Sequence, residues 1–161
     1  MKCLLTALVL GLALTTACGR PFEVKTPSGF VELDERFSDY DYRATTADGL
    51  VIGIRVEKHE PRGELAFWER AIENQLRMRG GYALIDKRDV KNANGITGRQ
   101  LRFGHDEAGR PHLYSVTIYP TERRLFIVEV GGPREEVEKN AALVDAAISD
   151  LRVKRCWKFG C

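Results

Sequence analysis

From residue 40 onward the apolar positions recur first with a period of two, then of about three and a half, then of two again, and finally of three and a half. Leu50, Ile52, Ile54 and Val56 share one parity while Gly53, Arg55 and Glu57 share the other. This predicts a strand over 50–58 with the first set turned to a core. Tyr42–Thr46 precedes it across Ala47-Asp48-Gly49, and an Asp-Gly pair between two extended runs signals a hairpin. A turn at Thr26-Pro27-Ser28-Gly29 leads into a short strand from Phe30 to Leu33. After Pro61 and Gly63 the spacing becomes helical: Leu65, Trp68, Ala71, Ile72, Gln75, Leu76 and Arg79 predict an amphipathic helix over 64–79. Glu64 at its start and Arg77 and Arg79 at its end follow the order that the helix dipole favours, and Gly80-Gly81 stops it. Trp68, alone on the apolar side, reads as a core anchor against a sheet.

A meander follows. Tyr82–Val90 and Ile96–Phe103 are separated by Asn92-Ala93-Asn94-Gly95, and His112–Tyr119 and Arg124–Val130 by Pro120-Thr121-Glu122-Arg123. Connections this short join antiparallel neighbours. The longer polar stretch from Gly104 to Pro111 is expected to project from the sheet as a turn. Gly131-Gly132 is expected to break the last strand, and Pro133 to open one closing helix. Val137, Ala141, Val144, Ile148 and Leu151 form the apolar stripe of that helix, widened by Ala142, Ala146 and Ala147. The predicted class is α+β: a twisted, mainly antiparallel sheet of about six to seven strands packed with two main helices.

The order of these elements, a Thr-Pro-Ser-Gly-Phe opening, a hairpin, a Trp-bearing helix, a meander and a closing helix, resembles the PsbP-like fold. That fold is shared by photosystem extrinsic proteins, a nuclear-transport factor and many bacterial envelope lipoproteins of the DcrB type. The resemblance spans about Thr26 to Arg152. It implies a binding or accessory protein without a shared catalytic site, and it carries no functional residues across.

The N-terminus has a pattern of its own. Lys2, an apolar run from Leu4 to Leu14 and small residues up to Ala17-Cys18 follow the zones of a secretory signal. Leu14-Thr15-Thr16-Ala17 before Cys18 resembles the bacterial lipoprotein box, with Thr15 standing where that family usually has Leu. The resemblance implies cleavage before Cys18, a lipid on its thiol and acylation of the new amino terminus. Gly19, rather than Asp, follows the cysteine, which resembles sorting to the outer membrane in enteric bacteria. The rivals are ordinary cleavage after Ala17 and a retained helix. About 11 apolar residues would rise only about 16 Å, against a hydrocarbon core of about 30 Å. The resulting plan is a signal over 1–17, a tether over 18–26, one domain over 27–153 and a tail over 154–161.

Composition then narrows the function. Less its signal, the 161-residue chain is the size of one ordinary domain. Its formal charge of +2, which falls by one with Lys2, is no footprint for nucleic acid. Arg55, Lys58, Lys87, Arg88, Lys91, Arg99 and Arg102 are spread over several strands with acids interleaved, as on a mixed, solvated face. His105, Asp106, Glu107 and His112 surround the expected turn. Two imidazoles with two carboxylates can ligate a divalent metal, but the spacing matches no defined signature, and a solvated turn accounts for them. His59-Glu60 is a weaker pair of the same kind. Asp39 and Asp41 would face the same way on a strand, as edge acids do. Ser28, Ser38, Ser115 and Ser149 lie in no Gly-x-Ser-x-Gly elbow, and Gly80-Gly81 follows a helix instead of opening one, so neither a hydrolase elbow nor a phosphate loop is present. No cofactor is expected.

With Cys3 removed and Cys18 acylated, Cys156 and Cys161 remain as one pair, and a disulfide between them is expected. Closing so small a loop contributes only about 2 kcal/mol. It would either pack Trp157 and Phe159 on the domain or offer Trp157, Lys158 and Phe159 as a knob to a partner. The functional expectation is a non-enzymatic, lipid-anchored accessory or binding module for an envelope protein. It would stand on the periplasmic face of the outer membrane, bound to the bilayer by its N-terminal lipid. The alternatives are a small metal-assisted hydrolase or glycan-acting enzyme, and a lipid or small-ligand carrier.

Overall fold

The structure, a computed structural model of the whole chain, describes residues 19–34 and 39–154. The expectations for the signal, for Cys18, and for Cys156, Trp157, Lys158, Phe159 and Cys161 lie outside the described residues.

Seven strands form one antiparallel sheet: β2 (Val31–Glu32), β3 (Tyr42–Thr45), β4 (Val51–Lys58), β5 (Ala83–Lys91), β6 (Thr97–Glu107), β7 (Arg110–Pro120) and β8 (Arg124–Pro133). Their order is β2-β3-β4-β8-β7-β6-β5. β1 (Phe22–Glu23) and β9 (Arg152–Val153) pair as a separate ribbon. Helix α1 (Leu65–Gly80) lies against β5, β6 and β7, while α2 (Arg134–Lys139) and α3 (Ala141–Asp150) follow β8. The α+β class, the antiparallel sheet and the two main helices are as expected.

Each face of the sheet has its own core. On one, Leu50, Ile52 and Ile54 of the β3–β4 hairpin meet Phe126, Val128 and Val130 of β8 and Val144, Ala147, Ile148 and Leu151 from the closing segment. On the other, Leu101, Phe103, Val116, Ile118, Leu125 and Ile127 meet Trp68, Ile72 and Leu76 of α1. Trp68 is therefore the core anchor its spacing implied. β8 is covered on both faces, which is why its residues 125–130 read as a nearly continuous apolar run. Each of these two cores is built from side chains of about 1.5–3 kcal/mol burial value apiece.

Four local expectations are corrected. The segment 104–111 is not a projecting turn: β6 and β7 run on to Glu107 and Arg110, and only Ala108 and Gly109 turn, with φ of 52° and 78°. Positive φ at both central residues matches the right-handed twist of the flanking strands, so the hairpin closes in two residues. Gly131-Gly132 does not break β8. Gly131 pairs with Val51 on one side and Tyr114 on the other, because the absence of side chains lets the Tyr114 ring and the Leu50 backbone come close. The closing helix is two helices divided at Asn140, whose Nδ2 donates to the Glu136 carbonyl at 2.9 Å and competes with helical pairing. The turn of register leaves Ala141 exposed and buries Ala147. Finally, Phe22, inside the stretch read as a spacer, is only 2% exposed and stands edge-on to Phe126 with ring centroids 6.4 Å apart. Packing thus reaches back into residues 18–26.

Candidate functional site

Helix α1 ends before it has covered its face of the sheet. Its terminator is Gly81, at φ 67°, where a left-handed residue closes the helix and returns an N–H to the Leu76 carbonyl. Beyond it, toward β3 and β4 and the end of the β6–β7 hairpin, the same face holds a hollow of about 320 Å³. Two strand glycines form its floor. A Cβ at Gly53 would stand 2.5 Å from Cε1 of Tyr40, and one at Gly131 would stand 3.1 Å from Cδ2 of Tyr114, so each glycine admits a tyrosine ring against the backbone.

One carboxylate stands beside the tyrosines and accepts from the hydroxyl of Tyr40. Glu129, 7% exposed, projects from central β8 between them. Its Oε2 accepts from the Tyr40 hydroxyl at 2.6 Å, and its Oε1 accepts from Nη2 of Arg55 at 2.6 Å. Register explains the meeting, since Gly53 is the partner of Glu129 and Arg55 lies two residues along β4 on the same face. Tyr40 is pushed up to about 12, first by burial and then by its hydrogen bond to Glu129. Tyr114 is raised further, chiefly by burial and then by the charge of Glu129 and a hydrogen bond to it. Both hydroxyls therefore remain protonated donors at neutral pH. The Arg43 and Arg55 guanidiniums lie 5.6 and 5.7 Å from the Tyr40 ring centre.

A second aromatic group forms the opposite wall. Tyr82 packs on His105, with ring centroids 4.8 Å apart, and on Tyr114, 5.2 Å apart. His105 and His112 are cross-strand partners, so their side chains leave the same face. Nε2 of His112 is 3.7 Å from Oε2 of Glu107, and its Nδ1 is 3.0 Å from the Arg110 carbonyl. Asp106, one residue off in parity, points to the other face. Among the described residues no group of three or more His, Cys, Asp or Glu side chains is placed to hold a metal.

The other candidates take structural places. Nε2 of His59 accepts from Trp68 Nε1 at 3.0 Å and from the Gly63 N–H at 3.1 Å, so Nδ1 carries the proton that meets the Thr121 carbonyl at 2.6 Å. His59 thus ties the entry of α1 to the β7–β8 turn. Asp41 accepts from the Val56 N–H at 2.7 Å. Most of the dispersed cations are paired: Lys87 with Glu69 and Glu73, Arg88 with Asp145, Arg99 with Glu69 and Asp89, and Arg102 with Asp86. That is the mixed face the interleaved acids implied. The residues of the hollow that sequence reasoning missed, Tyr40, Tyr82, Tyr114 and Glu129, left one signal. An acid in the middle of Leu125–Val130, opposite a glycine inside the predicted strand 50–58, marks a place where a strand meets something other than apolar core.

Sheet order, two-faced core and helix placement can be set beside solved structures. The fold is PsbP-like. A crystal structure of LpqN, described as involved in cell envelope biogenesis of Mycobacterium tuberculosis, superposes with a TM-score of 0.66 at 12% identity, over 83% of each chain. The solution structure of cyanobacterial PsbP from Synechocystis sp. gives 0.59 at 15% identity, over 93% of this chain and 98% of that one. The yeast Ran-binding protein Mog1p, from Saccharomyces cerevisiae, gives 0.60 at 11% identity, over 83% and 90%. No protein-family model matches the sequence, and no curated protein matches it. Identities this low place the PsbP-like domain in a fold. Among its described residues, no helix is long and apolar enough to cross a membrane.

Proposed function

We propose that this protein is a non-enzymatic accessory or binding module of the bacterial cell envelope, anchored by lipid at Cys18 on the periplasmic face of the outer membrane. The observation that carries the reading is the state of the hollow. Its buried carboxylate, Glu129, is committed to Arg55 and Tyr40. A carboxylate held by a guanidinium and a hydroxyl fixes the shape of a surface. The description of LpqN as a participant in envelope biogenesis supports the same setting. The C-terminal Cys156–Cys161 loop, with Trp157, Lys158 and Phe159, supplies a second contact for an envelope protein partner.

Intact mass and palmitate labelling of the membrane-expressed protein test the anchor. An acylated species beginning at Cys18 that disappears in Cys18→Ala is expected, and an unlipidated soluble wild type would refute it. Crosslinking in intact membranes tests the partner. One specific crosslinked envelope protein, lost on Trp157→Ala with Phe159→Ala, is expected, and its absence from the labelled wild type would overturn the accessory role.

A further inference from the structure

We propose that the outward face of the β1–β9 ribbon lies on the anionic headgroups of the bilayer that holds the lipid of Cys18, with Lys25, Arg152 and Lys154 as its contacts. This surface orients the module proposed above and rests on that reading for the acylation at Cys18.

The length of free chain selects this face. Pro21 already belongs to the fold, since its carbonyl accepts from the Lys154 N–H at 2.9 Å, and Phe22 beside it is buried. Arg20 is held as well, its Nη2 donating to Oε1 of Glu32 at 2.5 Å. Extended chain of at most about 11 Å therefore separates Cys18 from Pro21. That is little more than one Debye length, about 8 Å at physiological ionic strength, so a lipid at Cys18 brings the charges of the ribbon within reach of the headgroups. The other exposed cations without acidic partners on a helix, Arg70 and Arg79, belong to α1, which packs on the opposite face of the sheet from Phe22 and Val153. Placing them on lipid would carry the anchor past the sheet, farther than so short a tether spans.

Register gives the ribbon its charge. Phe22 and Val153 are cross-strand partners turned to the core, so the next pair, Glu23 and Arg152, turns outward. Lys154 shares the parity of Arg152 and meets Glu23 at 3.6 Å, an exposed contact that a headgroup phosphate can replace. Lys25 is exposed two residues beyond Glu23. Among the described residues neither Lys25 nor Arg152 has an acidic partner. Three cations thus stand against one carboxylate, while Asp150 at the end of α3 and Lys91 at the end of β5 add one charge of each sign nearby. Such an excess favours an anionic lipid surface about fivefold for each basic residue beside it.

The test places the acylated chain, its lipid verified by intact mass, in nanodiscs of phosphatidylglycerol and phosphatidylcholine. A lipid with a gadolinium chelate on its headgroup broadens the amide NMR signals that lie close to the surface. The expected result is strong broadening at Glu23, Lys25, Arg152 and Lys154 and none at Arg70 and Asn74 of α1. Lys25→Gln with Arg152→Gln, both at exposed positions, weakens the contact about 25-fold. The ribbon then lifts to the length of its tether, and broadening at residues 25 and 152 falls. Wild type in phosphatidylcholine alone loses broadening in the same way, which reads the contact without any substitution. Broadening at Arg70 and Asn74, or a pattern that neither the variant nor the lipid changes, would overturn the proposal and leave the acyl anchor standing. A wild type that carries no acyl group overturns both readings, and the mass shows it before any spectrum is recorded.

Discussion

Replacing Glu129 by Gln tests whether the hollow is organised by charge. The substitution keeps the volume and one carbonyl oxygen, so the Tyr40 hydroxyl retains an acceptor while Arg55 loses its counter-charge at 2.6 Å. Breaking a fully buried ion pair from one side costs about 3–5 kcal/mol. Glu129 is nearly that buried, with its side chain 9% exposed, but the Arg55 side chain is 31% exposed and retains Glu57 at 3.7 Å. Water and Glu57 therefore compensate part of the loss, and the expected cost is about 2 kcal/mol. Urea unfolding at neutral pH, followed by Trp68 fluorescence, measures it as a lower midpoint at unchanged slope. The companion variant, Arg55→Leu with Glu129→Leu, removes both charges and is expected to recover at least half of the deficit, because the cost of the single change lies in the abandoned partner. Tyr40 supplies an independent readout. Its value of about 12 owes most to burial and the next part to Glu129, so in Glu129→Gln its ultraviolet titration moves down toward the ordinary tyrosine range without reaching it. A stability change within about 0.5 kcal/mol, the range of an ordinary surface substitution, together with an unmoved Tyr40 titration, would refute the reasoning.

Three further outcomes follow from other parts of the fold. Phe22→Ala removes a buried ring from its contact with Phe126 and is expected to cost about 3 kcal/mol, read as a lower Tm; an unchanged Tm would mean that β1 does not belong to the cooperative unit. Alkali should unfold the protein in a defined window: Tyr40, Tyr114 and Tyr119 are all raised, first by burial, so the folded state keeps protons that the unfolded chain gives up. Stability is then full below about pH 10 and falls as pH climbs toward and past 12, and a melting temperature that holds constant across that interval would contradict it. Trp68→Phe keeps the apolar packing under α1 but removes the indole donor to His59; a cost of about 1 kcal/mol is expected, and the same substitution in a His59→Ala background should cost clearly less.

Periodicity was sufficient for the elements because strands and helices must each turn one side to a core. The alternation at Leu50, Ile52 and Ile54 and the helical spacing of Trp68, Ile72 and Leu76 describe faces that the structure buries. Punctuation was legible where one residue dictates its own backbone, as at Gly81, and less so where the outcome depended on neighbours. Gly131-Gly132 looks like a break in isolation, but with strands on both sides it is the place where a ring can lie on the backbone. The two-residue turn at Ala108-Gly109 was hidden among polar residues, because register with the partner strand, more than composition, set its length.

The hollow shows the division most clearly. Tyr40, Tyr82, Tyr114 and Glu129 are dispersed over ninety positions and share no local spacing, so no motif joins them. The order β3-β4-β8-β7-β6 brings them to one face, and among the described residues α1, which ends at Gly81, does not extend over it. By itself the sequence determined the class of the fold, the helix that carries Trp68 and the core faces of the central strands, since each depends on neighbours along the chain. Only the tertiary structure decided which side chains share a surface and which charges are satisfied, because strand pairing and register are set by contacts between residues far apart in sequence.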